Sequence, residues 1–137
     1  MSAYSGTPLA KKLGIKEASR VCVFNPPGNY LKLVAPLPVG ATIGDWGSTD
    51  ADVIHLFTVK RSELTRRLAS LRHTIQPDAA IWVSWPKKAS GVATDLTEDT
   101  IREVALPIGL VDVKVCAVDD TWSGLKLMIR KELRPKR

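Results

Sequence analysis

The chain has 137 residues, 45% of them hydrophobic and 25% charged, which sets one folded domain and excludes a disordered or fibrous class. Its net charge of +6 is concentrated at the ends: residues 1–20 carry +3, residues 126–137 carry +5 and the body between them −2. Basic termini attract nucleic acid or anionic lipid without selecting a sequence, so nucleic acid is a partner class resting on these termini alone.

Thr7-Pro8-Leu9-Ala10-Lys11-Lys12-Leu13 reads as a short helix, with Thr7 as its cap, Pro8 at its first position and Gly14 at its end. Arg20 to Phe24 is the first strand, stopped by Asn25-Pro26-Pro27-Gly28. Asn29 to Ala35 has room for a short helix before Pro36 and Pro38, and the glycines between Val39 and Asp50 leave space only for a brief strand. Ala51 to Val59 is a near-continuous apolar run, the pattern of a parallel strand covered on both faces. From Ser62 to Ile75 the period changes: Leu64, Leu68, Leu71 and Ile75 mark one face of a helix, and the arginines between them read as a solvated face. Pro77-Asp78 breaks that helix, and Ala79 to Trp85 is the third major strand.

Asp95, with Glu98 three residues on, resembles a capping box opening a helix through Ile101, Val104, Ala105 and Ile108, which Gly109 ends. Val111 to Val118 and Leu125 to Lys131 then alternate around the turn-rich Asp119 to Gly124, the signature of an antiparallel hairpin. The outline is a single α/β domain over 1–137: a Rossmann-like open sheet of parallel strands with flanking helices, closed by a C-terminal antiparallel hairpin. Residues 1–18 form an N-terminal helical segment and 133–137 a basic tail.

Cys22 and Cys116 lie inside apolar runs without CxxC spacing, and neither His55 nor His73 has a Cys, Asp or Glu at ligand spacing. The expectation is no disulfide, no metal and no catalytic histidine. The serines lack a G-x-S-x-G context, so no catalytic residue is assigned. No run approaches 18 apolar residues and Met1 to Lys12 lacks the apolar core of a signal peptide, so the chain is expected to be cytoplasmic with no membrane partner.

An α/β sheet ending in an antiparallel hairpin is similar to the Rossmann-like fold of S-adenosylmethionine-dependent methyltransferases, in a truncated class I form. Ala51–Phe57, the helix after it, Gln76-Pro77-Asp78 and Ile81-Trp82-Val83 resemble the fourth strand, its helix and the fifth strand of those enzymes. Tyr4 to Ile15, Trp85 to Gly91, Thr94 to Glu98 and Trp122 to Leu127 also resemble a small bacterial family of unknown function. The methyltransferase resemblance implies a glycine-rich loop after the first strand and an acidic residue after the second. The first loop here is Asn25-Pro26-Pro27-Gly28-Asn29-Tyr30, whose prolines remove N–H donors, and Asp45 is the candidate acid. No cofactor is therefore assigned, and a minimal methyltransferase stands as the alternative function.

Ligands of open α/β sheets bind beyond the carboxyl ends of the strands. There Trp85-Pro86-Lys87-Lys88-Ala89-Ser90-Gly91 follows a strand directly, so the expected site is a crevice between this loop and the first one, lined by Asn25, Tyr30, Trp85, Lys87, Lys88 and Ser90. Its two lysines favour an anionic small molecule, with a protein partner as the other occupant. The leading expectation is a non-catalytic binding module.

Overall fold

The computed structural model describes residues 7–44 and 47–135, so Asp45, Trp46 and the extreme termini lie outside the described residues. Its strands are β1 (Arg20–Phe24), β2 (Thr42–Ile43), β3 (Val53–Phe57), β4 (Ala80–Pro86), β5 (Leu110–Ala117) and β6 (Trp122–Ile129). They form one sheet in the order β2-β1-β3-β4-β6-β5. The first four run parallel, with Val21 opposite Val53 and Val53 opposite Ala80. β6 is antiparallel to both β4 and β5, which is the expected hairpin closing the sheet.

Every residue of β3 and β4 is buried, so both faces of the sheet need cover. On one face Leu64, Leu68 and Leu71 of α3 (Arg61–Thr74) and Ile101 and Ala105 of α4 (Glu98–Ala105) pack on Ile54, Leu56, Ile81 and Val83. On the other, α1 (Leu9–Lys12) and α2 (Tyr30–Val34) supply Leu9, Ala10, Tyr30 and Val34 against Val21, Val53, Phe57 and Trp82. Four-residue α1 is held less by its own turns than by Trp82, whose indole N–H donates to Leu13 O at 2.9 Å. No described helix is long and apolar enough to cross a membrane.

Two boundaries differ from the sequence reading. Asp95 does not cap α4; Thr97 does, its Oγ1 accepting from Thr100 N–H at 3.1 Å. The chain first buries Leu96, which delays the helix and frees the Asp95 carboxylate to accept from Arg61 N–H at 2.7 Å, at the first residue of α3. The hairpin turn is also tighter than Asp119 to Gly124. Asp119 Oδ1 accepts from the N–H groups of Thr121 and Trp122 and closes the turn, so Trp122, Ser123 and Gly124 are already strand residues opposite Pro86, Trp85 and Ser84.

Gly124 is glycine for close approach rather than for turning: a Cβ there would lie 3.2 Å from Trp82 Cε3 and 3.3 Å from Val118 Cγ2. Gly124→Val is expected to cost about 1–3 kcal/mol by overpacking. Gly28→Ala, where nothing lies within 4 Å, serves as the control, and equal denaturant midpoints for the two would contradict this account.

Candidate functional site

At the carboxyl ends of β1 and β3 an open cleft of about 720 Å³ is bounded by Asn25, Phe57, Thr58, Glu63, Arg66 and Trp122. Asn25 turns the chain out of β1 with φ +55°, a left-handed conformation that asparagine tolerates better than most residues. That turn aims its Nδ2 at Phe57 O (3.1 Å) and at the Glu63 carboxylate (3.2 Å). Glu63, in the first turn of α3, also accepts from Thr58 Oγ1 at 2.6 Å. The Asn25–Thr58–Glu63 cluster thus bolts the first loop to β3 and α3 and fixes a carboxylate in the cleft wall. Trp122 forms the opposite wall, its ring edge-on to Phe57 at 5.1 Å between centroids. Arg66 sits on the rim, 4.0 Å from Glu63.

The six residues expected from the sequence do not line one crevice. Asn25 lines the cleft, but Tyr30 is only 4% exposed and its hydroxyl meets His55 Nδ1 at 3.0 Å in the core. Trp85 and Lys88 border a separate cavity of about 480 Å³, with Gly91, Thr94 and Glu98. Trp85 is 8% exposed and belongs to the core on the α3 face. Lys87 acts through its backbone: its N–H donates to Thr121 O at 2.7 Å, and its carbonyl accepts from Ser90 N–H and Ser90 Oγ. The Ser90 hydroxyl is thereby engaged within its own loop and also accepts from Val92 N–H. Lys88 is exposed. Glu98 and Asp99 sit in the first turn of α4, so the positive end of that helix already faces carboxylates.

Glu63, Thr58 and Phe57 were missed in the sequence. Glu63 reads there as one offset among arginines. The usable signal was its place, six residues past the end of a buried strand and on the first turn of the helix that follows. Trp122 carried a signal as an aromatic beside the hairpin turn, yet its neighbour across the cleft was not predictable from spacing.

His55 is fully buried between Tyr30 and Ser84, with Nε2 2.7 Å from Ser84 Oγ. A neutral imidazole donates through one ring nitrogen and accepts through the other, which suits two hydroxyl neighbours. The trio resembles a catalytic constellation in composition, but all three residues are sealed from solvent. It is a satisfied polar network inside the core. Burial also raises the thiols of Cys22 and Cys116 above their ordinary range, and both are free. Among the described residues no group of three or more His, Cys, Asp or Glu side chains is placed to hold a metal.

No family profile matches the chain by sequence and no curated protein does. By structure, it is similar to a SAM-dependent methyltransferase from Aquifex aeolicus (TM-score 0.65, 16% identity, 92% of this chain and 90% of that one). It is similar also to a putative type 11 methyltransferase from Sulfolobus solfataricus (TM-score 0.60, 11% identity, 94% of both chains). A protein of the NADB-Rossmann superfamily from Streptococcus agalactiae aligns over the whole of this chain and 72% of its own (TM-score 0.55, 8% identity). The fold is that of the Rossmann-like methyltransferases, and nearly the full length of the first two is represented here.

A cofactor of that class presents a flat base, ribose hydroxyls, a sulfonium cation and an amino-acid end. Trp122, half-buried, offers ring surface for a base or for a cation, backed by the buried Phe57 ring, and Glu63 offers a fixed acceptor for hydroxyls. The loop of residues 25–30 does not reproduce a backbone cradle, because Pro26 and Pro27 carry no N–H and Tyr30 N–H is engaged with Pro27 O. Any contacts this cleft makes to such a group would come from side chains.

Burial pushes the His55 pKa down to about 3, against an ordinary value near 6.5. Below that ordinary value the unfolded chain takes up a proton that the folded chain refuses. The contribution is fully present above pH 6.5 and falls as pH drops towards 3, so from pH 7 to pH 5 the protein is expected to lose about 2 kcal/mol through this residue. Urea unfolding at both pH values reads it, and a His55→Gln variant that keeps the same pH dependence would exclude His55 as its source.

Proposed function

We propose that this chain is a reduced methyltransferase-type domain that binds S-adenosylmethionine or a close adenosine-bearing relative in the cleft at the carboxyl ends of β1 and β3. The observation that supports it is a coincidence of place: the methyltransferase-like fold carries a cleft of about 720 Å³ where open α/β sheets bind ligands. In this reading Trp122 stacks on the base, Glu63 accepts from ribose hydroxyls, and Asn25 with Thr58 holds that carboxylate in position. When bound, such a cofactor supplies an electrophilic methyl group. The protein contributes orientation and a wall that keeps water off one face. The compact size does not argue against activity, since the Aquifex and Sulfolobus relatives are covered almost entirely by this chain.

Calorimetric titration with S-adenosylmethionine and S-adenosylhomocysteine is expected to show micromolar binding. Trp122→Ala should weaken it about tenfold, in line with the loss of one base–aromatic stack. Absence of heat and of thermal stabilisation with both compounds would remove the cofactor reading.

A second reading keeps the domain as a non-catalytic module that holds an anionic small molecule or a protein partner at the loop of Trp85 to Gly91. The observation favouring it is the exposed Lys88 on the rim of the cavity beside Trp85 and Gly91. It predicts that Lys87→Ala with Lys88→Ala abolishes capture of the ligand while leaving S-adenosylmethionine titration unchanged. Unaltered capture by the double variant would retire it.

A further inference from the structure

We infer that the corner formed by Arg66, Arg67 and Ser70 on α3, with the Phe24 ring beneath it, is a binding site for a phosphate group. The Arg67 guanidinium lies over Phe24 with its carbon 4.5 Å from the ring centroid. Its Nε is closed off from solvent and has no hydrogen-bond partner. That nitrogen is out of a ligand's reach, so the donors Arg67 can turn to one are its terminal guanidinium N–H groups. No carboxylate pairs with this guanidinium among the described residues, although Arg61, Arg66, Arg102 and Arg130 all have one. Cys22, whose thiol feels the positive charge of Arg67, is neutral at ordinary pH because burial raises it.

The corner is a space of about 260 Å³ that also takes in Ser48 from the loop before β3. Arg66 enters with a weak commitment elsewhere, its ion pair among the described residues being the 4.0 Å contact to Glu63. Ser70, one helical turn after both arginines, adds an exposed hydroxyl on the same face. Two guanidiniums and a hydroxyl around one small space suit a tetrahedral dianion, since the arginine fork matches paired oxygens. The Phe24 ring holds one fork in place before any ligand arrives, which removes part of the ordering cost of binding.

Arg66 borders both this corner and the cleft. A ligand seated between Trp122 and Glu63 can therefore extend a phosphate past Arg66 towards Arg67. The implied ligand class is a phosphate-bearing small molecule whose flat part occupies the cleft. This goes beyond the cofactor reading and does not depend on it, because a phosphate corner serves an enzyme and a binding module equally.

The test is titration of the full chain with inorganic phosphate and, separately, with AMP and adenosine at low salt, followed by ³¹P line broadening and calorimetry. Saturable phosphate binding is expected, with AMP held about tenfold more tightly than adenosine. Ser70→Asp places a carboxylate three and four residues from the arginines; it should raise the melting temperature and reduce binding of both phosphate probes at least tenfold. Arg66→Gln should also weaken both, and Arg61→Gln, on the same helix but paired with Glu103, should not. No saturable binding of phosphate or AMP to the wild type overturns the inference, as does wild-type binding by Ser70→Asp and Arg66→Gln. Binding of S-adenosylmethionine in the same experiments is read independently, so either idea can fail alone.

Discussion

Two strands with no exposed residue impose the rest of this structure. β3 and β4 are covered on both faces along their whole length, so the chain must deliver helices to both sides, α1 and α2 to one face and α3 and α4 to the other, and its short elements are placed by that demand. α1 has four residues and α2 five, too few to be stable alone. Their residues Leu9, Ala10, Tyr30 and Val34 exist as helix because the sheet needs a lid there. The same demand explains His55, the single polar side chain within β3. Being central, it must be satisfied from inside the protein, and the elements next to it provide Tyr30 from α2 and Ser84 from β4.

That satisfaction has a consequence for the cleft. The first loop is anchored at both ends, by Asn25 to Phe57 and Glu63 and by Tyr30 to His55. Two prolines stiffen the stretch between. A glycine-rich loop offers a cofactor its backbone; this loop instead presents a fixed wall, beside which side chains from β3, α3 and the start of β6 line the cleft. The internal polar network thus fixes both the loop and the wall it gives the cleft.

The strands and long helices were legible because their periodicity reports burial directly. Val53 to Phe57 and the Leu64, Leu68, Leu71 series needed only the rule that apolar faces point inwards. Boundaries set by side chains reaching across the fold were not legible. Asp95 followed by Glu98 has a capping pattern, yet its carboxylate serves the amide of Arg61, thirty-four residues earlier. Gly124 looks like part of a turn and is a packing glycine against Trp82. Tyr30 lies in a loop-like stretch beside prolines, and nothing local signals that its ring turns into the core. Of the residues expected to line a crevice, Asn25 borders this cleft. The others were chosen for chemistry visible in sequence, whereas the cleft is built from Glu63, Thr58 and Phe57, whose roles depend on meeting across strands.

The arginines of α3 illustrate the same limit in electrostatic form. Sequence alone reads them as one solvated face, but each meets a different environment. Arg61 bridges to Glu103 on α4, and Arg72 donates to Ile108 O. Arg66 reaches weakly for Glu63, while Arg67 lies on Phe24 with an unmatched Nε. The first two join α3 to its neighbours and contribute little individually where exposed. Arg67 is different because it is partly withdrawn from water against the Phe24 ring without acquiring a carboxylate among the described residues. A neutral side chain of similar shape would cover Phe24 at lower cost. The proposed phosphate would give the terminal N–H groups of this guanidinium a counter-charge, in the cavity that Arg67 shares with Arg66 and Ser70.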